Sequence, residues 1–309
     1  MRVRPDLNLP ASVRVLERGW LSSNSILFTG REDTALVDSG YVTHAGQTLA
    51  LVRHALGERP LERLLNTHLH SDHCGGNALL QAAYGCRTAI PALEAPRVAA
   101  WDEDALSYRA TGQQCARFSF DTTLAPGDIV ELGDLRWTVL AAPGHDPHAL
   151  LFFCAEEGML ISGDALWENG FGVVFPELAG EPAFDEVGAT LDLIATLDAR
   201  VVIPGHGAVF GDVAGALARA RSRLDYLSSD PVRNAENAVK VLLKFLLLER
   251  RELGLDALPG LLRSIPLIER VRTRLLGRDA DELAAWASAA LLRAGAARIE
   301  GGRLIDADV

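Results

Sequence analysis

Four side chains that can bind a metal ion lie within six residues of one another, in the segment NTHLHSDHCGGN at residues 66–77. They are His68, His70, Asp72 and His73. The two-residue spacing of His68 and His70 lets both imidazoles point to one side of an extended segment. Imidazole and carboxylate are ligands that Zn²⁺ and similar metals accept, and the chain has no CxxC pair to compete for the role. The segment therefore predicts a metal site.

Three further ligand candidates occur later in the chain, each directly after a glycine: His145 in PGH, Asp164 in SGD and His206 in PGHG. Glycine allows the close backbone approach and unusual φ that crowding side chains around an ion requires. Each of the three follows a short apolar run that is typical of a strand. We therefore expect strand ends to carry the chemistry.

In this order, the HxHxDH, PGH, SGD and PGHG motifs resemble the metallo-β-lactamase superfamily, in its glyoxalase II-like branch, over roughly residues 20–210. The resemblance implies an α/β fold, an αββα sandwich with the site at one edge of its two sheets. It also implies two divalent metal ions, with zinc as the first expectation and iron or manganese as alternatives. The implied ligands are His68, His70 and His145 for the first ion, Asp72, His73 and His206 for the second, and Asp164 as the bridge.

Two ions at such a site can activate a shared water, so metal-dependent hydrolysis is the predicted reaction. Asp72 is predicted both to ligate the second ion and to orient the nucleophile. The branch favours a small ester-like substrate, a thioester or a lactone. Two alternatives stay open. One is a mononuclear-iron persulfide dioxygenase using His68, His145 and Asp164, and the other is a ribonuclease or phosphodiesterase.

Three residues near these motifs are candidates for substrate contact. His148 follows the PGH motif closely, and Trp167 and Phe171 lie among glycines just after Asp164. The alternatives are a solvent-facing loop histidine and two aromatic side chains that close the core beneath the loop.

Two further residues have competing interpretations. Asp38 stands at the end of an apolar run and before Ser39-Gly40, where a turn-forming role is expected, and a role in orienting a ligand histidine is the alternative. Cys74, beside His73, is predicted to be a packed thiol. All four cysteines are widely spaced and are predicted to be free.

Composition and charge narrow the function classes. The 309 residues carry a formal net charge of −11, with 17 basic and 30 acidic residues in 1–230 and 13 basic and 11 acidic in 231–309. The net charge of only +2 over residues 231–309 argues against a nucleic-acid partner, despite a cluster of arginines between 263 and 278. No export signal or membrane span is visible, so a cytoplasmic protein with a small-molecule substrate is expected.

The elements that must position these residues can be read from periodicity and turn signals. A hairpin is predicted over 24–29 and 34–38, and helices are predicted over 43–56 and 76–84. Strands are also predicted over 61–66, 136–141, 150–154, 159–162 and 201–203, and all of them except 150–154 lead toward a candidate ligand.

A second region is predicted after a helix over 213–227 and a junction at 228–231. The division is therefore 1–229 for the catalytic domain and 230–309 for a smaller, mostly helical domain. Helices are expected over 238–251, 281–294 and a middle stretch broken by Gly260 and Pro266, followed by a hairpin around Gly301-Gly302. This order of helices and hairpin resembles a winged-helix module. The region could alternatively serve as a lid over the metal site or as the surface of a homodimer.

Overall fold

The computed structural model describes residues 7–307, and two facing sheets carry the candidate ligands. The first sheet has six strands in sequential order, antiparallel from β1 to β3 and parallel from β3 to β6. Its strands are β1 (Val13–Leu16), β2 (Ser25–Thr29), β3 (Thr34–Val37), β4 (Arg63–Leu65), β5 (Arg87–Pro91) and β6 (Thr122–Leu124).

The second sheet has five strands in the order β11-β10-β9-β8-β7. It is antiparallel from β7 to β10, and β11 pairs with β10 in parallel. Its strands are β7 (Ile129–Leu132), β8 (Leu135–Ala141), β9 (Leu150–Cys154), β10 (Met159–Gly163) and β11 (Val201–Pro204).

The two sheets enclose one apolar core, and helices cover their outer faces. Side-chain alternation explains this division, since Ala35 and Val37 of β3 join the core between the sheets while Leu36 joins the outer core. The outer face of the first sheet packs on α1 (Ala45–Leu56) and α3 (Asn77–Tyr84). That of the second packs on α7 (Ala183–Thr196) and α8 (Val213–Ser228). The predicted αββα sandwich is therefore confirmed.

Shorter helices occupy the loops around the sheet edge. Because glycines and prolines lie at or near their ends, these helices have only one or two turns. They are α2 (Ser71–Cys74), α4 (Ala95–Ala100), α5 (Tyr108–Thr111) and α6 (Phe175–Ala179), with 3-10 turns at Val42–His44 and Ala92–Glu94.

The C-terminal region packs four helices and a small three-stranded sheet around its own apolar cluster. The strand order is β12-β14-β13, and the predicted hairpin is confirmed as β13 paired with β14. The elements are α9 (Pro231–Arg250), β12 (Glu252–Gly254), α10 (Leu258–Arg263), α11 (Pro266–Val271), a π turn (Arg272–Leu276), α12 (Ala280–Arg293), β13 (Ala297–Glu300) and β14 (Arg303–Asp306).

Two boundary predictions in this region were wrong. Helix α9 begins at Pro231 rather than 238, because the Asp230 side chain accepts a hydrogen bond from Val232 N and proline suits the first turn. Gly260 lies inside α10 instead of breaking it. The division at 229/230 stays a prediction, and Val173 and Leu178 pack into the C-terminal cluster from the earlier part of the chain.

Among residues 7–307, no helix combines the length and apolar composition that crossing a bilayer requires.

Candidate metal centre

The seven predicted ligand residues meet at one edge of the sandwich, where several strands end. The segment from His68 to His73 follows β4 and continues into α2, whose first residue comes directly after His70. The other three come from the second sheet, with His145 after β8, Asp164 after β10 and His206 after β11. Loops from both sheets thus converge, as the strand-end pattern predicted.

The first group consists of three imidazoles, from His68, His70 and His145, whose ligand atoms lie within 4.8 Å of one another. His70 Nδ1 lies 2.8 Å from His145 Nε2. The other nitrogen of His145, Nδ1, lies 2.6 Å from the Val173 carbonyl oxygen, which fixes the ring. His68 Nε2 is buried and makes no hydrogen bond to any residue between 7 and 307. An orphaned buried nitrogen of this kind fits a metal ligand.

The second group consists of Asp72, His73 and His206, again with ligand atoms within 4.8 Å of one another. His206 Nε2 lies 3.1 Å from Asp72 Oδ2. His73 Nε2 is buried and lacks a hydrogen-bond partner in the described part of the chain. The donor set of imidazole and carboxylate therefore fits a divalent ion at this group as well.

Asp164 stands between the two groups. Its Oδ2 lies 3.4 Å from His145 Nε2 in the first group and 3.8 Å from His206 Nε2 in the second. Its Oδ1 lies 3.4 Å from His73 Nε2. One carboxylate thus faces both groups, as a shared ligand would.

The glycines before the ligands meet two different requirements. Gly163 adopts φ 48°, in the left-handed region that glycine enters without strain. Gly205 is needed for space, because a Cβ there would collide with Asp164 Oδ1 and lie 2.8 Å from His73 Cε1. The backbone therefore approaches the site more closely than any other residue would permit.

Electrostatics keeps two imidazoles of the first group neutral. Burial lowers the pKa of His145 to about 4, and the nearby His70 acts in the same direction. Burial, with His73 and His70, also lowers the pKa of His68 well below its usual value. Neutral imidazoles present a lone pair at neutral pH, which is the form that binds metals.

The second group is held by charge attraction. Burial opposes the charged form of His73, but Asp164 and Asp38 outweigh it and raise the His73 pKa well above its usual value. Burial likewise disfavours the charged carboxylates, yet the hydrogen bond from His206 lowers the pKa of Asp72, and the charges of His206 and His73 lower that of Asp164. Both carboxylates are therefore ionised and available to a cation.

Asp38 orients a candidate ligand, so the expected turn-only role was wrong. Its Oδ2 lies 2.8 Å from His73 Nδ1, and the same oxygen accepts a hydrogen bond of 2.8 Å from the Thr67 hydroxyl. Its Oδ1 accepts one of 2.9 Å from Thr67 N. The residue has φ 60°, and this backbone form aims the carboxylate back at the loop. Asp38 thus fixes which nitrogen of His73 faces the centre.

The three substrate-contact candidates lie in different environments. Trp167 is half-buried at the centre, with Nε1 donating to Asp164 Oδ1 at 3.1 Å. Phe171 is 1% exposed and packs in the core of the second sheet's outer face, which favours the core-closing alternative, and its contact with substrate stays a prediction. His148 places Nδ1 2.5 Å from Glu94 Oε1, and its contact with substrate stays a prediction as well.

Cys74 is buried, as predicted, with Sγ 3.2 Å from the Tyr108 hydroxyl and 3.8 Å from Cys115 Sγ. All four cysteines are free. Outside the motifs, His54 is exposed and His44 is half-buried.

A cavity of about 280 Å³ opens beside the first group. Its walls come from six parts of the chain and include His70, His145, Glu94, Phe175, Leu267 and Arg270. The last two belong to α11, so the C-terminal region forms one wall. The cavity brings a small ligand within reach of the two imidazoles.

Comparison with known families decides the identity of this fold. The profile of the metallo-beta-lactamase superfamily matches residues 18–206, which include all seven candidate ligands. The chain belongs to the metallo-beta-lactamase superfamily.

Two curated relatives are hydroxyacylglutathione hydrolases. A hydroxyacylglutathione hydrolase of Cereibacter sphaeroides is 35% identical over 145 residues, covering 46% of this chain and 47% of the relative. One of Anaeromyxobacter dehalogenans is 35% identical over 199 residues, covering 62% and 66%. The first of these matches spans about half of the relative's length.

Solved structures share the superfamily fold. A metallo-beta-lactamase family protein from Thermus thermophilus aligns over 97% of this chain and 100% of its own, with a TM-score of 0.57 and 22% identity. The protein TTHA1623, solved in a di-iron-bound form, aligns over 67% of this chain and 98% of its own, with a TM-score of 0.54 and 26% identity. The first alignment extends the shared fold into the C-terminal region.

Sequence reasoning missed several residues of this metallo-beta-lactamase centre. Trp20 stacks on His206 with ring centroids 5.5 Å apart and planes 5° from parallel. Phe175 lies 6.0 Å from the His70 ring and lines the cavity. Both come from segments without a local motif, so proximity in space is the one signal that identifies them.

Proposed function

We propose that this protein is a metal-dependent hydrolase that binds two divalent ions, zinc in the first instance. The observation that carries the proposal is the position of Asp164 Oδ2, 3.4 Å from a nitrogen of one ligand group and 3.8 Å from a nitrogen of the other. His68, His70 and His145 would hold the first ion, and Asp72, His73 and His206 the second, with Asp164 shared. Two metal ions bound in this way would supply an attacking hydroxide at neutral pH and a Lewis acid for the substrate oxygen.

The side chains of the chain itself then have defined tasks. Asp72 Oδ2 faces His206, which leaves Oδ1 to accept a hydrogen bond from the attacking water and orient it. Asp38 and the Val173 carbonyl oxygen hold His73 and His145 by their Nδ1 atoms. These contacts keep the Nε2 atoms of both rings directed at the centre, so the ligand geometry is preorganised.

For the substrate we propose a small thioester, with a lactone as the related alternative. The name of the curated relatives denotes hydrolysis of an acyl-glutathione, which is a thioester. A cavity of about 280 Å³ has room for a small substrate and not for a folded polymer. Its polar and apolar walls suit an acyl group attached to a polar carrier.

The test combines metal analysis with a substrate panel on one preparation. We expect about two divalent ions per chain, hydrolysis of an acyl-glutathione thioester, and loss of activity after chelation with recovery on adding Zn²⁺. Lactone, phosphodiester and persulfide substrates complete the panel. A single iron with oxygen uptake on a persulfide would overturn the hydrolase proposal in favour of a dioxygenase. Phosphodiester cleavage alone would overturn the substrate class.

A further inference from the structure

The two oxygens of Asp164 have different surroundings. Oδ2 lies 3.4 Å from His145 Nε2 in the first ligand group and 3.8 Å from His206 Nε2 in the second, whereas Oδ1 lies 3.4 Å from His73 Nε2 in the second group. Oδ1 accepts a hydrogen bond of 3.1 Å from Trp167 Nε1. The indole N–H is a donor without acceptor capacity, so it can bind a carboxylate oxygen but cannot take the place of a ligand. The hydrogen bond from Trp167 therefore distinguishes Oδ1 of Asp164 from Oδ2.

The loop that carries Trp167 is built to hold its ring in place. Trp167 N donates to the Gly170 carbonyl oxygen at 2.6 Å, which closes a tight turn. The Glu168 carbonyl oxygen accepts a hydrogen bond of 2.7 Å from Arg219 Nε on α8. Leu166 is fully buried, and its carbonyl oxygen accepts a hydrogen bond from the Ser162 hydroxyl at 2.7 Å. The indole is thus fixed from both ends of the turn.

Aromatic contacts complete the cradle around the second ligand group. The Trp167 ring meets Trp20 edge to face at 5.3 Å and His206 at 5.4 Å. Trp20 in turn stacks on His206. These contacts limit the rotation of the indole, so its N–H stays directed at Asp164.

We propose that Trp167 is a positioning residue that locks the rotation of the Asp164 carboxylate, so that Oδ2 keeps its place between His145 and His206, where Asp164 would serve both metal ions. The inference rests on the proposed two-metal function. A carboxylate without such a bond can rotate about its Cβ–Cγ bond and exchange its two oxygens. A hydrogen bond to an ionised acceptor is roughly twice as strong as a neutral one, which is enough to favour one rotamer.

The first variant is Trp167→Phe, which removes the N–H and keeps an aromatic ring. We expect metal affinity to fall by about 10- to 100-fold, as is usual when the partner of a ligand is lost. Affinity is measured by competition with a chromophoric chelator for Zn²⁺. The Co²⁺-substituted protein gives a second readout, because its visible absorption bands report ligand geometry and should change in the variant.

A second variant isolates the N–H from the shape of the ring. It carries 3-benzothienylalanine at position 167, in which sulfur replaces the N–H of an otherwise similar bicyclic ring. The matched control is Trp286→Phe, which makes the same substitution at a half-buried indole of the C-terminal region whose ring packs against Arg278. Circular dichroism and the melting temperature establish that each variant is folded.

Loss of affinity and altered Co²⁺ bands in both position-167 variants, with a wild-type result for Trp286→Phe, would support the inference. Wild-type affinity and Co²⁺ bands in the benzothienyl variant would overturn it, since the N–H would then have no effect. If the unsubstituted protein itself binds no metal, the proposed function fails instead, so the two failures are distinguishable.

Discussion

His206 Nε2 lies 3.1 Å from Asp72 Oδ2, although 134 residues separate the two in the chain. Asp72 stands on α2 beyond the end of β4 in the first sheet, and His206 follows β11 in the second. The pair therefore joins the edges of the two sheets at the point where we propose that the second ion binds.

Asp72→Asn tests the proposed role of this carboxylate in catalysis. Asparagine keeps the size of the side chain but loses the charge and one acceptor site, so water orientation and metal binding should both weaken. We expect kcat/KM for a thioester to fall by about 10²- to 10⁴-fold. Steady-state kinetics and metal content measured together separate the two contributions. Asp192→Asn, at an exposed carboxylate paired with Arg221, should leave both unchanged.

Gly205→Ala tests the close backbone approach at the centre. The added Cβ would collide with Asp164 Oδ1 and crowd His73, so the ligands must move. We expect lower metal affinity and a loss of about 1–3 kcal/mol in the free energy of unfolding, as for other overpacked sites. Gly260→Ala is the matched control, because among residues 7–307, apart from its chain neighbours and the backbone of α10 itself, no atom lies within 4 Å of a Cβ at this position.

The control should stabilise the protein slightly, by about 0.5–1 kcal/mol, since alanine replaces glycine inside a helix. Chemical denaturation measures both variants. Equal metal affinity in Gly205→Ala and the unsubstituted protein would contradict the geometry described for the centre.

Asp38→Asn tests whether this residue orients His73. An amide cannot accept hydrogen bonds at both of its terminal atoms, so the bonds to Thr67 and His73 Nδ1 cannot all be kept. We expect metal affinity to fall by about 10- to 100-fold. Asparagine also tolerates the φ of 60° at this position, so the backbone should stay intact.

The chain offers a matched control for this substitution. Asp134 also has a positive φ, of 62°, but its carboxylate is partly exposed and pairs with Arg31. Asp134→Asn should therefore leave metal affinity at its original value. A similar loss in both variants would show that the backbone conformation, and not the contact with His73, is responsible.

Removal of metal should lower the melting temperature, because an ion bound only by the folded chain stabilises it. At a free metal concentration of about 100 times the Kd, one ion contributes about 2.7 kcal/mol. For a domain of about 200 residues this corresponds to roughly 5–10 °C. Calorimetry before and after chelation measures the shift. In Asp164→Asn the shift in melting temperature on chelation should be smaller. An unchanged melting temperature of the unsubstituted protein after verified metal removal would count against metal binding by the seven candidate ligands.

Several parts of the structure were predictable from sequence because their signals are local. The ligand motifs combine a restricted choice of side chains with fixed spacing, and β8 to β11 are apolar runs bounded by glycine, proline or acidic residues. Asp230 and Pro231 are also a local helix-start signal, although the same residues suit a junction, and the start of α9 was placed too late.

Other parts depend on contacts that a sequence does not display. Strands β5 and β6 are short and include polar or proline residues, so they lack a readable alternation and are strands because a neighbour pairs with them. Trp167 and Phe171 have the same aromatic character in one glycine-rich loop, yet the first bonds Asp164 and the second fills a core. Only their three-dimensional surroundings distinguish them.

Helix α11 supplies Leu267 and Arg270 to a cavity that is also lined by His70 and His145. A molecule bound there would bridge the sandwich and the C-terminal helices, so amide hydrogen exchange in α11 should slow when the cavity is filled. A fragment ending at residue 229 would leave that side open to bulk water. The shielding that strengthens electrostatic interactions in an enclosed site would then be lost.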